Sequence, residues 1–222
     1  MQAFAAWLRL CATVVAVACL SLAAGVASAQ VAGKDFQVIT PAQPTPAGNK
    51  VEVIEFFSYA CPHCRALQPS LGTWLKRKPA DVEFRRVPAV FQDSWVPYAQ
   101  LYYTLDAMGL VDKLHHDVFT AIHDQKVRLQ EQKVLFDWVG SKGVDSKKFA
   151  DTYNSFSVRS LTQRAVETTR RYSVPFTPAL VVDGRFLTGP SMTSSGNSVD
   201  YDHFFKVLDQ MIAGARKKPG GK

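Results

Sequence analysis

Cys61 and Cys64, with Pro62 and His63 between them, are the residues of this chain best suited to chemistry. Two cysteines at this spacing can close a small disulfide ring, and at the start of a helix such a ring is a redox site rather than a staple. The first turn of a helix carries backbone N–H groups without intrahelical partners and a partial positive charge. A thiolate at Cys61 is stabilised there, so its pKa is expected to fall from about 8.5 into the range of roughly 3.5–7.5. A protonated His63 would add a second favourable charge. Cys64 lies one turn further along, on an apolar stripe, and is expected to be buried and poorly nucleophilic. Cys61 would then exchange with an outside sulfur through a mixed disulfide, and Cys64 would resolve it. A structural disulfide and half of a zinc site use the same spacing. Zinc takes about four ligands, and the other two cysteines, Cys11 and Cys19, fall in a segment expected to be removed. No His-x-x-His partner appears, so no metal site is expected.

The elements that must position the pair read clearly. Residues 51–57 (Val-Glu-Val-Ile-Glu-Phe-Phe) form a mostly apolar, β-branched and aromatic run, as in a strand buried on both faces. Ser58, Tyr59 and Ala60 turn the chain. A helix is expected over 61–78, with Cys64, Leu67, Leu71 and Trp74/Leu75 on one stripe. Lys76, Arg77 and Lys78 suit its negative end, and Pro79 stops it.

The first segment sets the compartment. Arg9 supplies a positive start, residues 10–24 are apolar but short for a membrane span, and Ala27-Ser28-Ala29 is a small-residue cleavage site before Gln30. Residues 1–29 are expected to be a secretory signal peptide cleaved after Ala29, which makes the chain an exported protein. A lipid anchor at Cys19 is disfavoured because the leucine usual three positions upstream is missing. The formal net charge of +7 could suggest nucleic acid. The basic residues are dispersed apart from Arg216-Lys217-Lys218, so a solvated positive surface is expected instead. No phosphate-binding glycine loop or dinucleotide fingerprint is present. His115, His116 and His123 lie in a polar helical segment and are expected on a solvated face.

The remaining chain completes a platform. Residues 30–50 read as a linker with one edge strand over 36–39, and a second core strand is expected over 82–87. From 95 to 172 the pattern is helical throughout, consistent with an inserted subdomain. An Asp183-Gly184 turn joins two short apolar runs over 179–188 into a hairpin. A last helix is expected over 200–213, stopped by Gly214, before a basic tail over 216–222. The organisation is therefore an α/β core, 51–94 and 173–215, interrupted by an all-helical subdomain, 95–172.

A strand–CxxC–helix unit followed by a β-β-α unit resembles the thioredoxin fold. Glu55-Phe56-Phe57-Ser58, the Cys-Pro-His-Cys sequence, the helical insert and Thr177-Pro178 before the hairpin resemble the DsbA family of periplasmic thiol:disulfide oxidoreductases. The resemblance covers nearly all of the chain after the leader. It implies a thioredoxin-like fold and catalysis by Cys61 and Cys64, with the Pro62-His63 dipeptide tuning the redox potential. It implies that Pro178 is cis and lies against the cysteines, with the Thr177 backbone offering an edge to an extended peptide. It also implies that Glu55 is a buried carboxylate of raised pKa that relays protons to Cys64; the competing reading is a partly exposed Glu55 paired with Arg85 or Arg86. No cofactor beyond the redox-active disulfide is implied. The partners implied are reduced exported proteins and a DsbB-type membrane quinone reductase, with the protein itself a monomer. A reductase or isomerase on the same fold is the nearest alternative. A metal-handling or peptide-binding protein without redox turnover is a further one, disfavoured because no methionine lies close to Cys61.

Overall fold

The computed structural model describes residues 33–194 and 198–216. The expected leader and residues 217–222 of the expected tail lie outside them. A five-stranded mixed sheet in the order β1-β5-β4-β2-β3 forms the platform: β1 (Gln37–Val38), β2 (Val51–Phe57), β3 (Val82–Pro88), β4 (Ala179–Val182) and β5 (Phe186–Thr188). Central β2 pairs parallel with β3, in the register Glu55 to Arg86, and antiparallel with β4. Every residue of β2 is buried.

The alternation of β2 serves two faces. Val51 and Val53 pack with Leu180 and Val182 against α1 (Pro62–Arg77) and the C-terminal helix. Ile54 and Phe56 pack on the other face with Val181, Ala165 and Tyr172. Between β3 and β4 the chain forms a 3-10 turn (Asp93–Trp95) and helices α2 (Val96–Ala107), α3 (Val111–His123), α4 (Gln132–Ser141), α5 (Ser146–Tyr153) and α6 (Phe156–Arg171). Asp145 caps α5, its side chain accepting from the Lys148 N–H, and Ser155 caps α6 in the same way from Val158. This helical region has its own core, including Leu101, Leu105, Val118 and Phe119, and that core is continuous with Phe57, Tyr59, Cys61 and Cys64. The insert is therefore packed onto the redox site. The fold is an α/β, thioredoxin-like sheet with an inserted all-helical region, as the sequence implied.

After β5 come a short α7 (Pro190–Thr193), not foreseen in the sequence, and α8 (Tyr201–Arg216). Trp74 of α1 is fully buried, stacks on Phe205 of α8 and donates its indole N–H to Asp209 at 2.8 Å. Asp209 also pairs with Arg77. These contacts hold the CxxC helix to α8.

Several expectations are corrected in detail. The edge ladder is confined to Gln37–Val38. The first helix begins at Pro62, with Cys61 outside it as the N-cap, and contains Pro69, whose ring nitrogen has no N–H to donate to the preceding turn. Gly214 does not stop the last helix. That helix continues through it to Arg216, because Ala215 is buried in the core and Arg216 pairs with Asp81. The hairpin turn is as expected: Asp183 and Gly184 both have positive φ, +51° and +64°, as a type I′ turn requires. A side chain at position 184 would place its Cβ 2.1 Å from the Gln43 carbonyl oxygen, which glycine avoids.

Candidate active site

The cysteines sit where β2 hands the chain to α1. Cys61 is in extended conformation (φ −89°, ψ 116°), and its sulfur accepts the Cys64 backbone N–H at 3.4 Å. A cysteine side chain thus takes the capping role usually filled by serine or aspartate. Pro62 occupies the first helical position, where a missing N–H costs nothing. Both cysteines are free thiols, so this is the dithiol form.

The two thiols are driven apart electrostatically. Hydrogen bonding from Cys64 is the largest influence on Cys61 and outweighs its partial burial. With the Thr177 side chain and the backbone N–H groups of Cys64 and His63, it lowers the Cys61 pKa to about 5. Cys64 is fully buried, and burial pushes its thiol well above the ordinary value. Its bond to Cys61 and the negative charges of Cys61 and Glu55 act in the same direction. Near neutral pH Cys61 is therefore a thiolate and Cys64 a thiol. The His63 side chain is exposed, and its backbone N–H is among the groups that lower the Cys61 pKa.

The Thr177-Pro178 peptide bond is cis, as implied, and lies beside the pair. The Cys61 thiol donates to the Thr177 carbonyl at 3.3 Å, a bond available only while the sulfur keeps its proton. A second cis bond, Thr40-Pro41, had no distinguishing signal in the sequence. Gly189 supports the loop from beneath: a Cβ there would lie 2.5 Å from the Phe176 ring and 2.9 Å from the Pro178 carbonyl oxygen.

Glu55 combines the two readings the sequence left open. Its side chain is fully buried, yet it is ion-paired: Arg86 Nε donates to Oε2 at 2.8 Å. Gln68 Nε2 donates to Oε1 at 3.2 Å. Burial raises the Glu55 pKa, and Arg86 and Gln68 oppose that without cancelling it. Three positions earlier on the strand, and so on the opposite face, Glu52 is also buried and accepts from Arg85 Nε at 2.8 Å.

Sequence reasoning missed a set of residues around this carboxylate. Tyr59, read as a turn residue, is fully buried against Phe57 and Phe119. His115 was expected on a solvated face; it is buried, 8% exposed, and bonds the Tyr59 hydroxyl through Nδ1 at 2.8 Å. His123 Nε2 donates to the Tyr59 carbonyl at 2.8 Å, and Asp124 pairs with Arg65, the residue after Cys64. Gln68 was legible in principle, being one helical turn after Cys64. The histidines were not, since only the packing of α3 brings them here. No group of three or more metal-binding side chains occurs among the described residues.

With this geometry in place, the likeness to known proteins is specific. Residues 52–195 match the family model of the DsbA-like thioredoxin domain. A thiol:disulfide interchange protein DsbA from Bordetella parapertussis is 42% identical over 202 residues, 91% of this chain and 94% of that protein. One from Burkholderia cepacia is 42% identical over 182 residues, 79% of this chain and 85% of that protein. The crystal structure of Pseudomonas aeruginosa DsbA superposes with a TM-score of 0.79 at 33% identity, covering 86% of this chain and 96% of that one. The oxidoreductase DsbA from Xylella fastidiosa superposes with a TM-score of 0.76 at 30% identity, covering 84% and 98%.

Proposed function

This chain belongs to the DsbA-like thioredoxin-domain family and is a thiol:disulfide oxidoreductase; from that premise we propose that it works as a disulfide donor. A thiolate of a reduced exported protein attacks Cys61 Sγ of the Cys61–Cys64 disulfide. Cys64 leaves and is protonated. A second substrate thiolate then attacks the substrate sulfur of the mixed disulfide and releases Cys61 as a thiolate. Substrate is oxidised by two electrons and the enzyme is reduced by two.

The observation that carries this direction is the low pKa of Cys61, about 5. A thiol of low pKa is a good leaving group, and its thiolate stabilises the reduced enzyme but not the disulfide. The reaction therefore runs towards reduced enzyme and oxidised substrate. Thr177 and Pro178 form the rim beside Cys61, where the Thr177 backbone is available to an extended substrate segment. Glu55 exchanges a proton with Cys64. The setting is the periplasm, with residues 1–29 removed after Ala29, and the enzyme is reoxidised as a monomer by a DsbB-type membrane quinone reductase.

Equilibration of the Cys61–Cys64 pair in defined glutathione buffers, read by thiol trapping, tests the direction. The expected potential lies nearer about −120 mV, the value of the strong oxidant DsbA, than about −270 mV, that of thioredoxin. A value at the thioredoxin end would reverse the direction of the chemistry. In the same assay Cys61→Ser should abolish exchange, whereas Cys64→Ser should accumulate mixed disulfides; their absence would contradict the division of labour.

A further inference from the structure

A buried chain of hydrogen bonds runs from the insert to the redox site. Gln68 Nε2 donates to Glu55 Oε1 at 3.2 Å and to the Cys64 carbonyl at 3.1 Å. Both partners accept, which fixes the orientation of the Gln68 amide: its nitrogen faces the redox site and its oxygen faces away. That oxygen lies 3.2 Å from His115 Nε2. An amide oxygen cannot donate, so Nε2 must carry a proton. Burial, aided by Arg86 and His116, keeps His115 from taking a second proton. Nδ1 is therefore an acceptor, and the Tyr59 hydroxyl donates to it at 2.8 Å. The chain is directional throughout: Tyr59 to His115, His115 to Gln68, Gln68 to Glu55.

We propose that His115 is a positioning residue of the redox centre, whose Nε2–H holds the Gln68 amide so that its nitrogen, not its oxygen, meets Glu55 and the Cys64 carbonyl. If the amide turned over, its oxygen would face a carboxylate and a carbonyl, and Glu55 would keep only Arg86 as a donor. An inserted helix thereby controls a carboxylate on the central strand. The inference rests on the reading that Glu55 exchanges a proton with Cys64.

The step most exposed to this control is resolution of a mixed disulfide. Starting from Cys61 joined to glutathione, the Cys64 thiol gives its proton to the Glu55 carboxylate, and the Cys64 sulfur attacks Cys61 Sγ. The Cys61–glutathione bond breaks, the Cys61–Cys64 bond forms, and glutathione leaves as a thiolate carrying the electron pair. By microscopic reversibility this is the first donor step run backwards. Its acid limb follows the protonation of Glu55. Losing the Gln68 N–H removes a bond that favours the carboxylate, so the limb moves to higher pH. The ionisable groups facing His115 are Tyr59, Tyr102 of α2, Arg86 of β3 and His116 of its own helix, with Glu55 reached through Gln68.

The test is single-turnover release of glutathione from the full chain as a function of pH. His115→Leu should slow release by about threefold to tenfold on the acid limb and little on the plateau, the scale of one hydrogen bond to a charged group. His115→Gln, which can place an N–H where Nε2 lies, should restore the wild-type limb. His115→Asn, whose amide reaches only the Nδ1 position, should behave like His115→Leu. Gln68→Met should shift the limb as His115→Leu does, and it carries the comparison if His115→Leu does not fold. A uniform slowing at all pH values, or equal behaviour of the Gln and Asn variants, would overturn the positioning role. Glu55→Gln separates the two layers. If it leaves the limb in place, the proton-exchange reading of Glu55 fails and the proposal with it. If it abolishes the limb while His115→Leu and Gln68→Met do not move it, only the role of His115 fails.

Discussion

At the scale of single residues the chemistry comes from an asymmetry between two identical side chains. Cys61 stands just outside the helix and receives hydrogen bonds. Cys64 stands one turn inside it and receives the core. The same thiol is thereby lowered to about 5 in one place and pushed well above its ordinary value in the other. The Thr177 side chain is one of the groups that lowers Cys61. Titration of the thiolate ultraviolet absorbance of the reduced protein should give a midpoint near 5, and Cys61→Ser should remove that transition. Thr177→Val should raise the midpoint by up to about one unit, the scale of one hydrogen bond to a charged sulfur. A midpoint in the ordinary thiol range would remove the basis for a disulfide donor, and an unmoved midpoint in Thr177→Val would assign the lowering to Cys64 and the backbone N–H groups of the helix terminus without Thr177.

At the scale of elements, what was legible is what one continuous segment specifies. The β2 strand, the CxxC helix, the Asp183-Gly184 hairpin and the capped helices at Asp145 and Ser155 each carry their own signal. Boundaries that depend on distant residues were misread. Gly214 illustrates this: beside a polar tail a glycine reads as a stop, but the buried Ala215 and the Arg216–Asp81 pair carry α8 past it. Its backbone is helical, and a Cβ there would meet nothing within 4 Å. Gly214→Ala should therefore stabilise the protein by about 0.5–1 kcal/mol, through a less flexible unfolded chain and better helix propensity. In a thermal melt that is roughly 1–4 °C for a protein of this size; a fall in Tm would show that the helix end is strained at that point. The site divides the same way. Cys61, Cys64, Glu55 and Pro178 lie in segments with local signatures. Tyr59 and His115 meet across 56 positions of chain, and neither carries a local mark of the other. His115 looked like a surface histidine because its own helix is polar around it. The residues it meets are Phe57 of β2, Tyr59 of the turn that follows, Gln68 of α1 and Tyr102 of α2.

At the scale of the whole molecule, the redox state and the stability of the fold are two readings of one free energy. In the reduced protein the Cys61 pKa is about 5 when folded, against an ordinary value of 9.0. A depressed acid pKa contributes stability that is fully present above the unfolded value and is lost as pH falls through the folded value. The disulfide form has no such thiolate and gains nothing in that window. Cys64, raised rather than lowered, stays protonated in the folded reduced protein across the same range and adds no opposing slope below about 9. Glu55, raised by burial, costs the fold stability near neutral pH, and that cost fades as the pH falls through its folded value; it is present in both redox forms, so its slope largely cancels in their difference. The reduced protein should accordingly melt above the oxidised protein near neutral pH, and the gap should narrow steadily as the pH is lowered towards 5. Paired thermal melts of the two forms across that range measure it directly. A gap that stays constant with pH would place the driving force of disulfide donation somewhere other than the Cys61 thiolate. A higher-melting oxidised form at neutral pH would mean that the disulfide stabilises this fold, and a donor cannot be built that way.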